Sequence, residues 1–315
     1  MFLVSVKRLW DKAQHNAFTD LVRFQERWWC VFREGEKHVS PDGALRVITS
    51  SDGETWESAA LLQSATEDLR DGKLSVTSDG RLLLIGAGTP ASSRSYHQTY
   101  AWFSENGYDW SAPIPIGERN YWLWRVVWHE GVGYGVGYFT NRLSGNARLY
   151  RTTDGIDFKP LVCELFTEGY PNETGLLFLP DQTALILLRR DPVSGRPNSA
   201  AHAVLGMAHP PYTQWTWRDT GVRIGGPCMI MLPDGRIVAA VRLYDGATRT
   251  SLCWVNPAAG ELTEALTLPS GGDTSYAGMV WHDDLLWISY YSSHEAKTTI
   301  YLAKVRLAPD LRSSR

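Results

Sequence analysis

The sequence predicts an all-β protein built as one six-bladed β-propeller. Two observations carry that expectation. The first is an apolar hairpin repeated six times: 22–34 (VRFQERWWCVFRE), 74–86 (LSVTSDGRLLLIG), 124–138 (WRVVWHEGVGYGVGY), 172–190 (NETGLLFLPDQTALILLRR), 228–242 (CMIMLPDGRIVAAVR) and 278–291 (GMVWHDDLLWISYY). Their turns centre near residues 26, 79, 130, 181, 234 and 283, in steps of 53, 51, 51, 53 and 49. Units of this length made of short strands read as propeller blades, each a sheet that cannot bury its own face alone. The second is a turn recurring in phase with the hairpins: SSDGETW at 50–56, SENGYDW at 104–110 and TTDGIDF at 152–158. Asp52, Asn106 and Asp154 cap backbone N–H groups there, the following glycine accepts positive φ, and an aromatic packs between sheets. These are structural devices, not catalytic ones.

In order, the blades fall at about 15–65, 70–118, 122–168, 171–221, 225–270 and 275–308. The last has only three clear strands, and 2–6 (FLVSV) supplies the fourth, closing the ring and hiding its edges. Residues 7–20 lead into the first inner strand and are polar at His15, Asn16, Thr19 and Asp20. Segments 212–217 and 253–264 stand where later blades would carry the capped turn, in degenerate form. Polar loops at 88–98, with Arg94 and His97, and at 191–202 are candidate rim loops.

Composition narrows the function. With 31 basic and 34 acidic residues the net charge is −3, which gives no basic surface for nucleic acid. No run of 18 apolar residues exists to span a membrane as a helix. The opening MFLVSVKRLW is too short and too early charged for a signal peptide. That reading favours the cytoplasm; an export signal trimmed from the natural chain would make the protein secreted or periplasmic. Cys30, Cys163, Cys228 and Cys253 form no CxxC pair and read as buried thiols. HExxH, clustered Cys/His ligands and GxxxxGK[ST] are all missing, so no metal or nucleotide cofactor is indicated.

The chemistry concentrates at the ends of the inner strands, which surround the propeller axis. Arg33, Arg189 and Arg242 sit alike in their hairpins and are expected on one rim, suited to an anionic or heavily hydroxylated ligand. Glu173 and Tyr276 are placed to act as base and phenolic nucleophile. Asp20 and Asp42 add carboxylates near the same entry, and a flanking carboxylate pair suffices for glycoside hydrolysis. His15 and His38 are polar candidates. Trp122 or Trp124, beside Arg125, offers a flat face to a sugar ring.

The three capped turns resemble the Asp boxes of the sialidase superfamily, each one residue shorter between Asp and aromatic than the commonest form. At the level of blades the resemblance covers nearly the whole chain, and it extends to the bacterial BNR-repeat exo-sialidase-like proteins. It implies an arginine triad for a substrate carboxylate, a Tyr nucleophile paired with Glu, and an Asp acid/base. Glu173, Arg189 sixteen residues on, and Tyr276 in SYAGMVW match that pattern; Asp42 matches the acid/base loop. The family's first arginine has no counterpart, because the first inner strand reads Phe18-Thr19-Asp20. The fifth opens Gly225-Gly226-Pro227, with only Arg223 near. The resemblance therefore implies a glycoside hydrolase acting on a terminal sugar other than classical α-linked sialic acid. A non-catalytic carbohydrate-binding or interaction propeller, or a lyase on the same scaffold, are the alternatives.

Overall fold

The computed structural model describes residues 1–90, 96–195 and 201–308. Six four-stranded antiparallel sheets form a ring. Blade 1 holds β2 (His15–Phe24), β3 (Arg27–Gly35), β4 (Ala44–Ser50) and β5 (Glu57–Leu62). Blade 2 holds β6 (Glu67–Val76), β7 (Leu82–Pro90), β8 (Gln98–Ser104) and β9 (Ile114–Ile116). Blade 3 holds β10 (Tyr121–His129), β11 (Val132–Phe139), β12 (Ala147–Thr152) and β13 (Lys159–Phe166). Blade 4 holds β14 (Tyr170–Phe178), β15 (Ala184–Asp191), β16 (Val204–Ala208) and β17 (Thr216–Asp219). Blade 5 holds β18 (Ile224–Met231), β19 (Ile237–Leu243), β20 (Arg249–Asn256) and β21 (Glu261–Thr267). Blade 6 joins β22 (Thr274–His282), β23 (Leu285–Ser292) and β24 (Thr299–Arg306) to β1 (Phe2–Trp10). β1 pairs with β24 from Phe2↔Arg306 to Trp10↔Ile300, so the closing strand runs on past the expected residue 6.

Turn chemistry sets the hairpins. Gln25–Glu26, Glu130–Gly131 and Asp283–Asp284 each have positive φ at both positions, the mark of a type I′ turn, whose twist matches that of the strands it joins. The three capped turns share one geometry. Asp52 Oδ1 accepts from the backbone N–H of Glu54 (2.8 Å) and Thr55 (2.9 Å), and Ser50 Oγ accepts from Gly53 N–H (2.8 Å). Asn106 and Asp154 repeat the pattern. In the first two, the Trp56 and Trp110 indoles donate back to the glycine carbonyls. Each turn glycine lies against an aromatic of the preceding blade: Gly53 on Trp287, Gly107 on Trp29, Gly155 on Phe103. Cys30, Cys228 and Cys253 are buried free thiols, whereas Cys163 is exposed.

One irregularity recurs in all six inner strands. The ladders break between Ala17 and Asp20, Arg70 and Lys73, Leu123 and Val126, Pro171 and Thr174, Gly225 and Cys228, and Ser275 and Gly278. Two residues on the inner strand there oppose one on its partner, which is a β-bulge. The bulged pairs are Phe18-Thr19, Asp71-Gly72, Trp124-Arg125, Asn172-Glu173, Gly226-Pro227 and Tyr276-Ala277. Phe18, Asp71, Gly226 and Tyr276 take positive φ.

A buried network ties several of these bulges together. Asp20, 1% exposed, accepts from Arg125 Nη1 at 2.9 Å on both oxygens and from Leu74 N–H at 2.9 Å. Lys73 Nζ donates to the Thr19 carbonyl at 3.0 Å, and Thr19 Oγ1 donates to the Tyr276 carbonyl at 2.9 Å. Blades 1, 2, 3 and 6 are joined through it. Removing one partner of a buried ion pair strands the other charge, at a cost of roughly 3–5 kcal/mol. Asp20→Ala should therefore lower the urea unfolding free energy by about that amount. A loss below ~1 kcal/mol, the size of a surface ion pair, would refute the axial role.

Candidate active site

The bulges turn Phe18, Asp71, Trp124, Glu173 and Tyr276 toward a cleft of about 350 Å³. Gly226 holds the equivalent place in blade 5 and leaves it vacant for the Tyr276 ring. A Cβ on Gly226 would lie 2.8 Å from Tyr276 Cδ2 and 3.0 Å from its backbone nitrogen.

Glu173 is the hub. Its Oε1 accepts from the Tyr276 hydroxyl at 2.6 Å, and its Oε2 from Gly226 N–H at 2.7 Å. Arg189 Nη1 donates to both carboxylate oxygens at 2.9 and 2.8 Å, and to Tyr276 Oη at 3.1 Å. Arg189 Nη2 meets Asp191 Oδ2 at 2.9 Å, and Asn172 Nδ2 donates to the same oxygen at 3.0 Å. The Arg242 guanidinium lies over the Tyr276 ring, 5.1 Å from its centroid, and donates to the Thr274 carbonyl, to Asp273 Oδ1 (3.0 Å) and to Tyr291 Oη (2.8 Å). Burial, followed by the Glu173 charge, holds the Tyr276 phenol well above its ordinary pKa, despite Arg189 and Arg242. The phenol is therefore neutral and donates its hydrogen bond to Glu173.

Asp71 was not among the residues expected from sequence. It is 7% exposed, and its Oδ1 has no hydrogen-bond partner. Burial raises its carboxyl to about 6, with Lys73 and Arg70 opposing and Glu173 reinforcing the rise. The carboxyl thus keeps its proton to a higher pH than an ordinary aspartate, up to about 6. His97 is held down to about 4 by burial and then by Arg70, so its ring is neutral, and Nδ1 lies 2.7 Å from Thr89 Oγ1. Arg70 stacks over Trp122 at 5.1 Å. Phe18, Trp122, Trp124, Tyr138 and Tyr170 give the cleft aromatic walls.

Several expected residues lie elsewhere. Arg33 is fully buried, with Nε on Asp68 Oδ1 at 2.9 Å and Nη1 on the Lys37 carbonyl at 2.7 Å, and does not line the cleft. It cross-links blades 1 and 2. In register, Arg33 pairs with Ala17 and Arg242 with Gly225; their counterpart in blade 4 is Arg190, paired with Pro171, so Arg189 is one residue out of phase. Arg190 is turned away, onto the His202 carbonyl and Asp219. Asp42 is exposed and accepts from Glu36 N–H at 2.9 Å; it borders a separate surface groove with Lys12 and Gln63. Asp20 and Arg125 are committed to the axial network. His15 is buried on Asp273, while His38 borders the cleft. Trp124 borders it too but is 2% exposed and packs edge-on against Tyr276, 5.7 Å between centroids, which leaves little free face for a sugar. Arg223 is half exposed and stacks on Tyr244. Arg94 lies outside the described residues.

Asp71 was legible in principle: it stands 53 residues after Phe18 and 53 before Trp124, at the same bulge. Identifying it needed the bulge position rather than the hairpin turn as phase marker.

Neither a protein-family model nor a curated protein sequence matches the chain. Solved structures do. A Dyadobacter fermentans protein of unknown function superposes with a TM-score of 0.82 at 17% identity, covering 98% of this chain and 99% of that one. A Penicillium chrysogenum α-L-arabinanase, solved with arabinobiose, gives 0.72 at 14% identity over 94% and 95%. A Trypanosoma rangeli sialidase, solved with the inhibitor DANA, gives 0.69 at 11% identity over 93% of this chain and 55% of that one. The fold is a six-bladed propeller related, at low identity, to those of sialidases and other glycoside hydrolases.

Asp71 makes a pH-dependent contribution to stability. Its folded pKa of about 6 lies above the unfolded value of 3.8, so the folded state holds the extra proton. The contribution is complete below pH 3.8 and is lost as pH rises through 6. Asp71→Asn should abolish this change, so from pH 4 to 7 the variant should gain on the parent by on the order of 2 kcal/mol in urea titrations. A stability difference that does not vary with pH would contradict the assignment.

Proposed function

We propose that the protein is a retaining, exo-acting glycoside hydrolase that cleaves a terminal, neutral sugar. The 2.6 Å hydrogen bond from Tyr276 Oη to Glu173, in a cleft that also holds Asp71, is the observation that carries this reading. In the first step Tyr276 Oη attacks the anomeric carbon and its proton passes to Glu173. The glycosidic C–O bond breaks as Asp71 gives its proton to the leaving oxygen. In the second step Asp71, now a carboxylate, takes a proton from water, whose oxygen displaces the tyrosine. Tyr276 recovers its proton from Glu173. Two inversions leave the anomeric configuration unchanged. Arg189, already on both Glu173 and Tyr276 Oη, stabilises phenolate character as it develops.

The preference for a neutral sugar rests on the arginines. Arg189 is matched by Glu173 and Asp191, Arg242 by Asp273, and Arg33 by Asp68. At these three a substrate carboxylate would have to displace a partner; Arg70 and Arg142 also line the cleft, and the uronide and sialoside arms of the panel below test whether they recruit an anionic sugar. The aromatic walls and the neutral His97 instead suit sugar faces and hydroxyls.

A panel of aryl α- and β-glycosides, including arabinofuranosides, neutral pyranosides, uronides and α-sialosides, tests the proposal. Turnover is expected on a neutral sugar in preference to the sialoside, with kcat/KM falling above pH about 6 as Asp71 ionises. Tyr276→Phe should lower kcat by at least ~10³-fold while changing substrate binding only a few-fold. Full activity in Tyr276→Phe would remove the nucleophile assignment. Sugar binding without turnover across the panel would favour the carbohydrate-binding alternative.

A further inference from the structure

The histidines singled out in the sequence converge with an aspartate on the far side of the chain. His15 opens β2, His38 lies in the β3–β4 loop, and Asp273 immediately precedes β22. His15 Nε2 is 3.1 Å and His38 Nδ1 2.6 Å from the same oxygen, Asp273 Oδ2. The three donor atoms lie within 4.8 Å of one another, and the imidazole centroids are 5.4 Å apart. The other oxygen, Oδ1, is taken up by Arg242 Nη2 at 3.0 Å and the Tyr291 hydroxyl at 2.7 Å.

We propose that His15, His38 and Asp273 form a binding site for a borderline divalent transition cation, Zn²⁺ being the best fit. Two imidazole nitrogens and one monodentate carboxylate oxygen are a Zn²⁺ donor set that leaves a coordination position for water or substrate. Around a tetrahedral ion with ligands at ~2.0–2.2 Å the donors stand about 3.3–3.6 Å apart, so the His15 pair nearly fits and the His38 pair, on an exposed side chain, opens by under ~1 Å to admit the ion. The division of labour on Asp273 fits as well. Arg242 and Tyr291 fix the carboxylate through Oδ1 and leave Oδ2 to the histidines, as outer hydrogen bonds orient metal-binding carboxylates. The positive charge of Arg242 weakens the site without occupying the donor oxygen. His15 is packed against Phe18 and Tyr291, whereas His38 is half exposed and borders the cleft. An ion here would have its open side next to the cleft.

The site would also act on the fold. His15 and His38 belong to blade 1 and Asp273 to blade 6, the two blades whose meeting completes the ring. Other contacts across that seam include Asn16 N–H on the Thr298 carbonyl at 3.2 Å, the Thr19 hydroxyl on the Tyr276 carbonyl and the Trp28–Trp287 stack at 4.3 Å. An ion bound only to the folded ring stabilises it by linkage. The sequence marks His15 and His38 as polar candidates, but the spacing of residues 15, 38 and 273 matches no ligand motif.

Titrating the chelator-treated full chain with ZnCl₂ by calorimetry, with melting followed in parallel, tests the proposal. One Zn²⁺ per chain and a raised Tm are expected. His38→Ala, at an exposed position that tolerates the change, should weaken binding by ~10²-fold or more and abolish the Tm rise. His202→Ala removes an exposed histidine paired with Asp219 and should leave both unchanged. Co²⁺ in place of Zn²⁺ should give visible absorption that His38→Ala eliminates. No saturable Zn²⁺ binding, or equal affinity in the parent and His38→Ala, would overturn the site.

Discussion

Each inner strand carries one residue more than its partner can pair, and the surplus is placed at the same height in every blade. A regular strand would send alternate side chains into the packing between blades. The bulge breaks that alternation and aims one side chain at the axis in five blades, while glycine in blade 5 makes room for Tyr276. Positive φ at Phe18, Asp71 and Tyr276 is unfavourable for residues with side chains, so the surrounding sheet must impose it. Rigid, fully paired blades can do so. The same bulges send Thr19 and Arg125 into the buried network around Asp20, so scaffold and cleft share one backbone device.

Charge balance distinguishes the ionisable groups of the cleft. The Glu173 carboxylate is neutralised by Arg189 and fixed by the Gly226 N–H and the Tyr276 hydroxyl. Arg242 is neutralised by Asp273. Asp71 has no comparable partner: Arg70 and Lys73 are near, but its Oδ1 is unbonded, and burial favours its neutral form. Under the proposed mechanism, the paired carboxylate takes the base role and the carboxyl with the raised pKa the acid role.

The ring of blades was legible because the hairpin repeat depends on turn and strand chemistry that survives between copies. Closure by the N-terminal strand followed from the missing fourth strand of the last blade. Glu173, Arg189 and Tyr276 were also readable, as polar residues at strand ends facing the axis. Arg33 and Arg189 sit alike when counted from the turn centres, but the connections differ in length, 25–26 in blade 1 against 179–183 in blade 4, so the same count reaches different registers. Arg125 lies in a bulge and Asp20 on the hairpin side of another, and no local pattern shows that the two side chains face each other. Asp71 stands in an Asp-Gly pair that reads as an ordinary turn. Asp42 stands apart from the cleft, and a Pro-Asp-Gly turn has the same residues whether or not it approaches one. The His15–His38–Asp273 cluster joins residues up to 258 apart and depends on ring closure, which no local pattern encodes.

The central claim is that the Tyr276 oxygen bonds to the sugar. A 2-fluoro glycosyl fluoride of the preferred sugar slows breakdown of a covalent intermediate more than its formation, and peptide mass spectrometry then locates the adduct. The account predicts one glycosyl group on Tyr276, released with retained configuration when an acceptor is added. An adduct on Glu173 or Asp71, or steady turnover with no adduct and inverted product, would contradict it.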